Sequence, residues 1–259
     1  MIRRFSAALL AVAFLLASWT AAIAENESPL PEEDPAWDFS MRFGTDAVLL
    51  SDFASPRRHD CVCDLGTGTG VIPLLLYGRE PTITADAVEL QPDMAEMASR
   101  SVAMNALENR IHVKTGDLRQ IRELLPAAHY DLVVCNPPYG KAGGTLLNPD
   151  ESKRLSRHEE TCGIPDVVAA AAWLLHTGGR FCCVFPAPRL LELTDVARAC
   201  RLEPKRLRMV HSFADRAAHL CLLEAMRDAR PGLTVEPPLI VYDAKGVYSS
   251  EMRRIYGME

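Results

Sequence analysis

Four short segments of this 259-residue chain combine residue types that could handle a nucleophile and a cofactor. The first is Asn136-Pro137-Pro138-Tyr139, which follows the apolar run Leu132–Cys135. Two adjacent prolines remove two backbone donors and fix two φ angles. The residue before each proline is also pushed out of the helical region. The turn is therefore stiff and extended, begins with a carboxamide, ends with an aromatic ring and leaves carbonyls free to accept. The second segment is Gly66-Thr67-Gly68-Thr69-Gly70, shortly after Asp64. Its G-x-G-x-G spacing differs from the G-x-G-x-x-G of dinucleotide folds. Such glycines let the backbone approach a ligand at a helix N-terminus; a tight strand-to-helix turn without a ligand is the alternative. In the third, Glu89 and Leu90 end the next strand-like run. A carboxylate there can accept both hydroxyls of a ribose, or it is a solvated acid. In the fourth, Asp117 and Leu118 end a third run. Asp117 either accepts from an adenine amino group or caps the following helix.

Taken in order, DLGTGTG, VEL, GDL and NPPY resemble the motifs of the S-adenosylmethionine-dependent Rossmann-like methyltransferases over roughly residues 41–225. FGTDAVLL at 43–50 and RHEE at 157–160 are similar to the tRNA1(Val) adenine-37 N6-methyltransferase family in particular. The resemblance implies S-adenosyl-L-methionine as cofactor. It puts Gly44, Thr45 and Asp46 in a segment lining the cofactor pocket, with Asp64, Gly66, Thr67, Gly68, Gly70, Glu89, Leu90, Asp117, Leu118 and Asn136. Asn136, Pro137, Pro138 and Tyr139 would grip the planar amino group that receives the methyl. Tyr139, Arg157, His158 and Glu159 would meet the substrate; a solvated polar loop is the other reading of 157–159. An exocyclic amine is a poor nucleophile because its lone pair is delocalised into the ring. The Asn136 side-chain oxygen and the Pro137 carbonyl would accept its two N–H groups and aim that lone pair, and a ring such as Tyr139 would stack on the base. Catalysis would then be mostly positioning and electrostatics. The NPPY turn alone does not separate adenine N6 from a protein glutamine N5 or an rRNA guanine N2.

The elements that must hold these segments alternate. Strand-like runs at 59–66, 82–90, 111–118, 130–139 and 180–186 are separated by helical stretches, and two more runs at 205–213 and 218–227 suggest a final hairpin. This pattern predicts an α/β fold with a doubly wound, mostly parallel sheet. The resemblance makes it the seven-stranded class I methyltransferase sheet with a C-terminal antiparallel strand. Ligands in such sheets bind beyond the carboxyl ends of the strands, near the switch point, and the three most unusual segments fall at strand ends. The stretch 164–179 reads as a helix stopped by Gly178-Gly179.

Hydrophobic residues at 48% and charged residues at 24% describe an ordinary globular chain. A net charge of −6 does not announce a nucleic-acid binder. Outside the first forty residues, however, 26 basic face 28 acidic residues, and basic clusters appear at Lys153, Arg154 and Arg157 and across 198–208. The second cluster suits RNA phosphate or a solvated face. The eight cysteines include no CxxC pair and read as reduced core thiols. The seven histidines form no metal-ligand spacing, so no metal is expected.

Residues 1–24 have the form of a signal peptide, with Arg3 and Arg4, an apolar stretch and Ala22-Ile23-Ala24. A membrane anchor or a start placed too far upstream are the alternatives. Residues 25–40 read as an acidic linker, and 41–259 as the methyltransferase domain. Relatives in the family carry another segment ahead of FGTD, whose place the leader and linker take here. The expectation is a cytoplasmic, monomeric enzyme acting on tRNA, with membrane contact only if the leader is an anchor. An exported or membrane-tethered, non-enzymatic binding protein is the reading from another class, and the leader is its support.

Overall fold

The computed structural model describes residues 42–137 and 162–258. The leader at 1–24, the linker at 25–40 and the residues Pro138, Tyr139, Arg157, His158 and Glu159 lie outside the described residues.

Helix α1 (Arg42–Ala54) leads into β1 (Cys61–Leu65), α2 (Val71–Arg79), β2 (Thr84–Glu89), α3 (Pro92–Met104) and β3 (Ile111–Thr115). A 3-10 turn at Leu118–Gln120 and the short α4 (Ile121–Leu124) precede β4 (Tyr130–Cys135). Then come α5 (Ile164–Leu174), β5 (Leu175–Pro186), α6 (Leu190–Ala199) and the hairpin β6 (Leu202–His211) and β7 (Ala218–Arg227). The chain ends in β8 (Thr234–Val235), β9 (Leu239–Ile240), the small hairpin β10 (Tyr242–Ala244) and β11 (Val247–Tyr248), and α7 (Ser250–Ile255).

The main sheet runs β3-β2-β1-β4-β5-β7-β6. Its first five strands are mutually parallel, and β7 is antiparallel to both neighbours. This is the expected doubly wound order with its antiparallel strand near the C-terminus. Two further strands of two residues each, β8 and β9, pair in parallel with the outer edge of β6. They cover an edge that would otherwise offer free backbone groups to another chain.

Both faces of the sheet are buried, which explains why the central strands read as continuous apolar runs rather than alternations. In β5, Phe181, Cys183 and Phe185 face α5 and α6, while Cys182 and Val184 face the opposite layer of α1, α2 and α7. The adjacent cysteines thus serve two separate cores, as the period of two in a strand requires. All eight cysteines are free thiols. Burial pushes Cys221 up to about 12 and Cys162 up to about 11, so these thiols stay protonated and inert.

The Gly178-Gly179 expectation is corrected. Helix α5 stops at Leu174, and both glycines lie inside β5. The N–H groups of Ala128 and His129 take the Trp173 and Leu174 carbonyls at 3.0 and 2.8 Å, so the helix end is satisfied without a glycine cap. Pairing of β5 with β4 skips from Leu175 to Arg180, and the glycines make the bulge between them.

Beneath this bulge sits a buried ion network. Arg180, only 4% exposed, pairs with Asp60 at 3.1 Å and Glu224 at 3.4 Å, and donates to the Ala54 carbonyl at 2.9 Å. Arg206 reaches the same Glu224 at 3.0 Å and Glu236 at 2.7 Å, with its guanidinium over the Phe53 ring. The network ties the C-terminal end of α1 to β5, β6 and β7. It thereby leaves the N-terminal end of α1, with Gly44, Thr45 and Asp46, at the opposite rim, where the parallel strands end.

Candidate functional site

The register of the parallel strands builds the site. Leu65 pairs with Val88 and Cys135, and Glu89 pairs with Thr115. The carboxyl ends of β3, β2, β1 and β4 are therefore level, and the segments singled out from sequence leave them side by side. Neighbouring strands lie about 4.8 Å apart, so the turn after β1 and Asn136 after β4 are immediate neighbours. Chain order reverses between these two strands, which makes their crevice the switch point.

Side-chain alternation sorts the residues by face. Val62 and Val134 belong to the layer under α1 and α2, while Cys63, Leu65, Val133 and Cys135 belong to the other. Continuing by twos puts Asp64 and Asn136 on the α1 side, and Ala85 on β2 carries the same parity to Glu89.

The turn itself needs its glycines. Gly66, Gly68 and Gly70 all have positive φ, at 74°, 58° and 83°, where a side chain is strained. A Cβ on Gly70 would also lie 3.2 Å from the Ala98 Cβ of α3. The N–H groups of Gly66 and Thr67 both donate to the Val88 carbonyl, at 2.9 and 3.0 Å. Glu89 completes the clamp: one carboxylate oxygen accepts from Gly68 N at 2.9 Å, the other from Gln91 N at 2.9 Å. The acid is buried rather than solvated. Each oxygen keeps a lone pair for a further donor.

Asp64 is fully buried, and the donor that acts on its carboxylate among the described residues is the Thr67 hydroxyl, whose contact with it falls short of good hydrogen-bond geometry. An unpaired buried carboxyl is costly. Burial drives its pKa up to about 7, with Thr67 opposing and the Glu89 charge adding to the rise. Two carboxylate oxygens faced only by the Thr67 hydroxyl, beside a turn of backbone N–H groups, fit a ligand that brings a cationic or N–H-bearing group.

Asp117 caps the turn after β3. Its side chain accepts from Arg119 N at 2.9 Å and opens the 3-10 turn. The Arg119 guanidinium also grips it, and this hydrogen bond holds the Asp117 carboxyl below the usual carboxylate range. Leu90 is 37% exposed beside Glu89, an apolar surface at the rim, whereas Leu118 packs against the α5 core.

Asn136 is half-buried and Pro137 buried at the end of β4. The Cys135 thiol donates to the Leu65 carbonyl at 3.0 Å, fixing the exit of β4 against that of β1. Asp46 is buried in α1, and Gly44 is exposed at its start. Thr45 Oγ1 receives the Tyr256 hydroxyl at 3.3 Å, a long-range contact that no local motif foreshadowed.

The basic run 198–208 is taken up internally. Arg198 pairs with Glu203, Arg201 with Asp228, Arg206 with Glu224 and Glu236, and Arg208 with Glu251. Lys205 donates to the Arg230 carbonyl at 3.1 Å. Among the described residues, no cluster of His, Cys, Asp and Glu could hold a metal ion, and no helix is long and apolar enough to cross a membrane.

Known proteins resemble both the sequence and the fold. Residues 41–192 match the family model described as Methyltransferase small domain. The tRNA1(Val) (adenine(37)-N6)-methyltransferase of Porphyromonas gingivalis strain W83 is 33% identical over 226 residues, covering 83% of this chain and 87% of that protein. The protein of the same name from Tolumonas auensis is 32% identical, covering 82% and 86%. Among solved structures, a predicted O-methyltransferase from Agrobacterium tumefaciens superposes with a TM-score of 0.67 at 22% identity, over 82% of this chain and 95% of that one. A [4+2]-cyclase, SpnF, shares the same architecture at a TM-score of 0.53 and 12% identity, covering 71% and 81%. The fold thus accommodates more than one chemistry, and the sequence relatives narrow it: this chain belongs to the tRNA1(Val) (adenine(37)-N6)-methyltransferase family, within the methyltransferase small-domain group.

Proposed function

We propose that this protein transfers a methyl group from S-adenosyl-L-methionine to an exocyclic amino group, adenine N6 in tRNA. The observation that carries the reading is the level exit of β1 and β4 at the switch point, where Leu65 pairs with Cys135 and so sets the glycine turn beside Asn136, with the buried Asp64 carboxyl next to them.

The donor set fits the cofactor part by part. Asp64 and Thr67 offer acceptors for the ammonium of its amino-acid portion. The Gly66–Gly70 backbone allows close approach. Glu89, with a lone pair left on each oxygen, accepts ribose hydroxyls, and Leu90 supplies an apolar wall for the base. Asp117 is available to an adenine amino group if it shares its carboxylate with Arg119. Gly44, Thr45 and Asp46 close the pocket from α1. When bound, S-adenosylmethionine supplies an electrophilic methyl group on sulfur.

The chain's own part in transfer is orientation. The Asn136 side-chain oxygen and the Pro137 carbonyl accept the two N–H groups of the target amine, which turns its lone pair toward the donor pocket. The proline at 137 keeps the first acceptor aimed without reorganisation. Pro138, Tyr139, Arg157, His158 and Glu159 complete the substrate side in this reading, with Tyr139 stacking on the base. After transfer the extra proton leaves to water, so no dedicated base is required. S-adenosylmethionine and tRNA are cytoplasmic, which supports a cytoplasmic enzyme, working as a monomer within residues 41–259 and without a metal.

The test is mass spectrometry of nucleosides from unmodified tRNA incubated with the protein and isotopically labelled S-adenosylmethionine. Labelled N6-methyladenosine is the expected product. Label on guanine N2 of rRNA, or on a release-factor glutamine offered in parallel, would replace this reading with the corresponding amine. A mature chain beginning near Glu25 and recovered outside the cell would exclude it.

A further inference from the structure

The C-terminal β10–β11 hairpin and α7 carry a row of aromatic rings that ends on the donor side of the site. Phe213, in the loop after β6, packs on Tyr242 with ring centroids 5.7 Å apart. Tyr242 stacks on Tyr248 at 5.2 Å and 9° between planes, and Tyr248 stacks on Tyr256 at 5.4 Å and 24°. Backbone bonds hold this appendage to the end of β6: Val241 N donates to the His211 carbonyl at 2.8 Å, and Tyr242 N to the Ser212 carbonyl at 2.9 Å. Helix α7 is capped by Ser249, which accepts from Met252 N at 3.1 Å, and it buries Met252 and Ile255 in the core shared with α1.

We propose that Tyr256 is a positioning residue for the donor pocket, its hydroxyl setting the Thr45 side chain at the start of α1 through the 3.3 Å contact. The proposal rests on the methyltransferase reading, which makes Thr45 part of the pocket. The two ends of α1 are held by different means: the Arg180–Asp60–Glu224 network fixes the far end, and the ring row reaches the near end. Packing alone would be satisfied by a phenylalanine at 256. The hydroxyl adds the bond to Thr45 and a hydrogen bond to Tyr248 within the ring row, and the first of these aims the Thr45 side chain. Burial raises the Tyr256 pKa to about 12, which keeps the hydroxyl protonated and able to donate.

Tyr256→Phe separates the two roles. Donor affinity by calorimetry and KM for S-adenosylmethionine should each worsen about three- to tenfold, the range one neutral hydrogen bond commands. The kcat and the KM for tRNA should stay near wild type, and the thermal midpoint should fall by no more than the few degrees that one neutral hydrogen bond is worth. Thr45→Val should give the same loss. The double variant should be no worse than either single one, because the two share one bond. Unchanged donor binding in Tyr256→Phe, or fully additive losses in the double variant, would overturn the proposal while leaving the methyltransferase reading intact. Wild-type protein that takes up no S-adenosylmethionine would overturn that reading and this proposal together.

Discussion

Glu89 holds Gly68: the carboxylate ending β2 accepts the glycine N–H at 2.9 Å and so shapes the turn that follows β1. The same carboxylate takes Gln91 N with its other oxygen. One side chain therefore builds the donor cradle and offers its spare lone pairs to a ribose. Glu89→Ala should weaken S-adenosylmethionine binding tenfold or more by calorimetry, before any change at the amine site. It should also cost about 1–3 kcal/mol in denaturant unfolding, since two backbone donors lose their acceptor. A variant with wild-type donor affinity would remove Glu89 from the pocket.

Asn136 should behave in the opposite way. It leaves β4 beside the glycine turn but is assigned to the amine. Asn136→Ala is expected to abolish transfer almost completely and to leave donor affinity within a few-fold. Single-turnover rates and calorimetry on the same preparation separate the two quantities. Equal losses in both would place Asn136 in the donor cradle.

Asp64 gives the protein a pH signature. Its pKa is raised from 3.8 to about 7 by burial, so the native state binds a proton that the unfolded chain has released. The stability that this proton supports is complete below about pH 3.8 and is lost as pH rises through about 7. Asp64→Asn cannot titrate. Relative to wild type without donor, it should gain stability between pH 5 and pH 7 by at most about 1.4 kcal/mol per pH unit, then level off. Denaturant unfolding of both proteins across pH 5 to 8 measures the difference directly. Parallel curves would mean that the Asp64 carboxyl finds a partner in solution.

The motifs that place the site were legible in the sequence because each is local. Two prolines, three glycines and a strand-ending acid carry their geometry in a few residues, and strand register then brings them level. What was hidden depends on distant partners. Tyr256 meets Thr45 211 positions away, and Arg180 meets Asp60 120 positions away; neither residue has a flanking pattern that points to its partner. Gly178-Gly179 misled for another reason: a helix stop and a strand bulge use the same dipeptide. The structure makes the bulge testable. A Cβ at 179 would lie 3.0 Å from the His176 and Tyr130 carbonyl oxygens, and neither backbone atom can swing away. Gly179→Ala should destabilise the fold by about 1–3 kcal/mol, read by denaturant midpoint, with donor affinity unaltered once folded. Tolerance without loss of stability would show that the β4–β5 junction relaxes.

The basic run 198–208 poses a choice between RNA phosphate and fold, and Arg206 is where it can be tested. Its guanidinium is shared by Glu224 and Glu236 and lies over Phe53. Glu224 itself is only 6% exposed, and its two cationic partners are Arg206 and Arg180. Removing one of them leaves a partly compensated buried carboxylate, a costly state. Arg206→Met keeps much of the packing on Phe53 and deletes the charge. It should lower stability by about 1–3 kcal/mol. A phosphate contact would act elsewhere: each one removed lowers the slope of log affinity against log salt by about one unit. The expected outcome is a destabilised enzyme whose tRNA affinity has an unchanged salt slope. A reduced slope with unaltered stability would return Arg206 to the RNA surface.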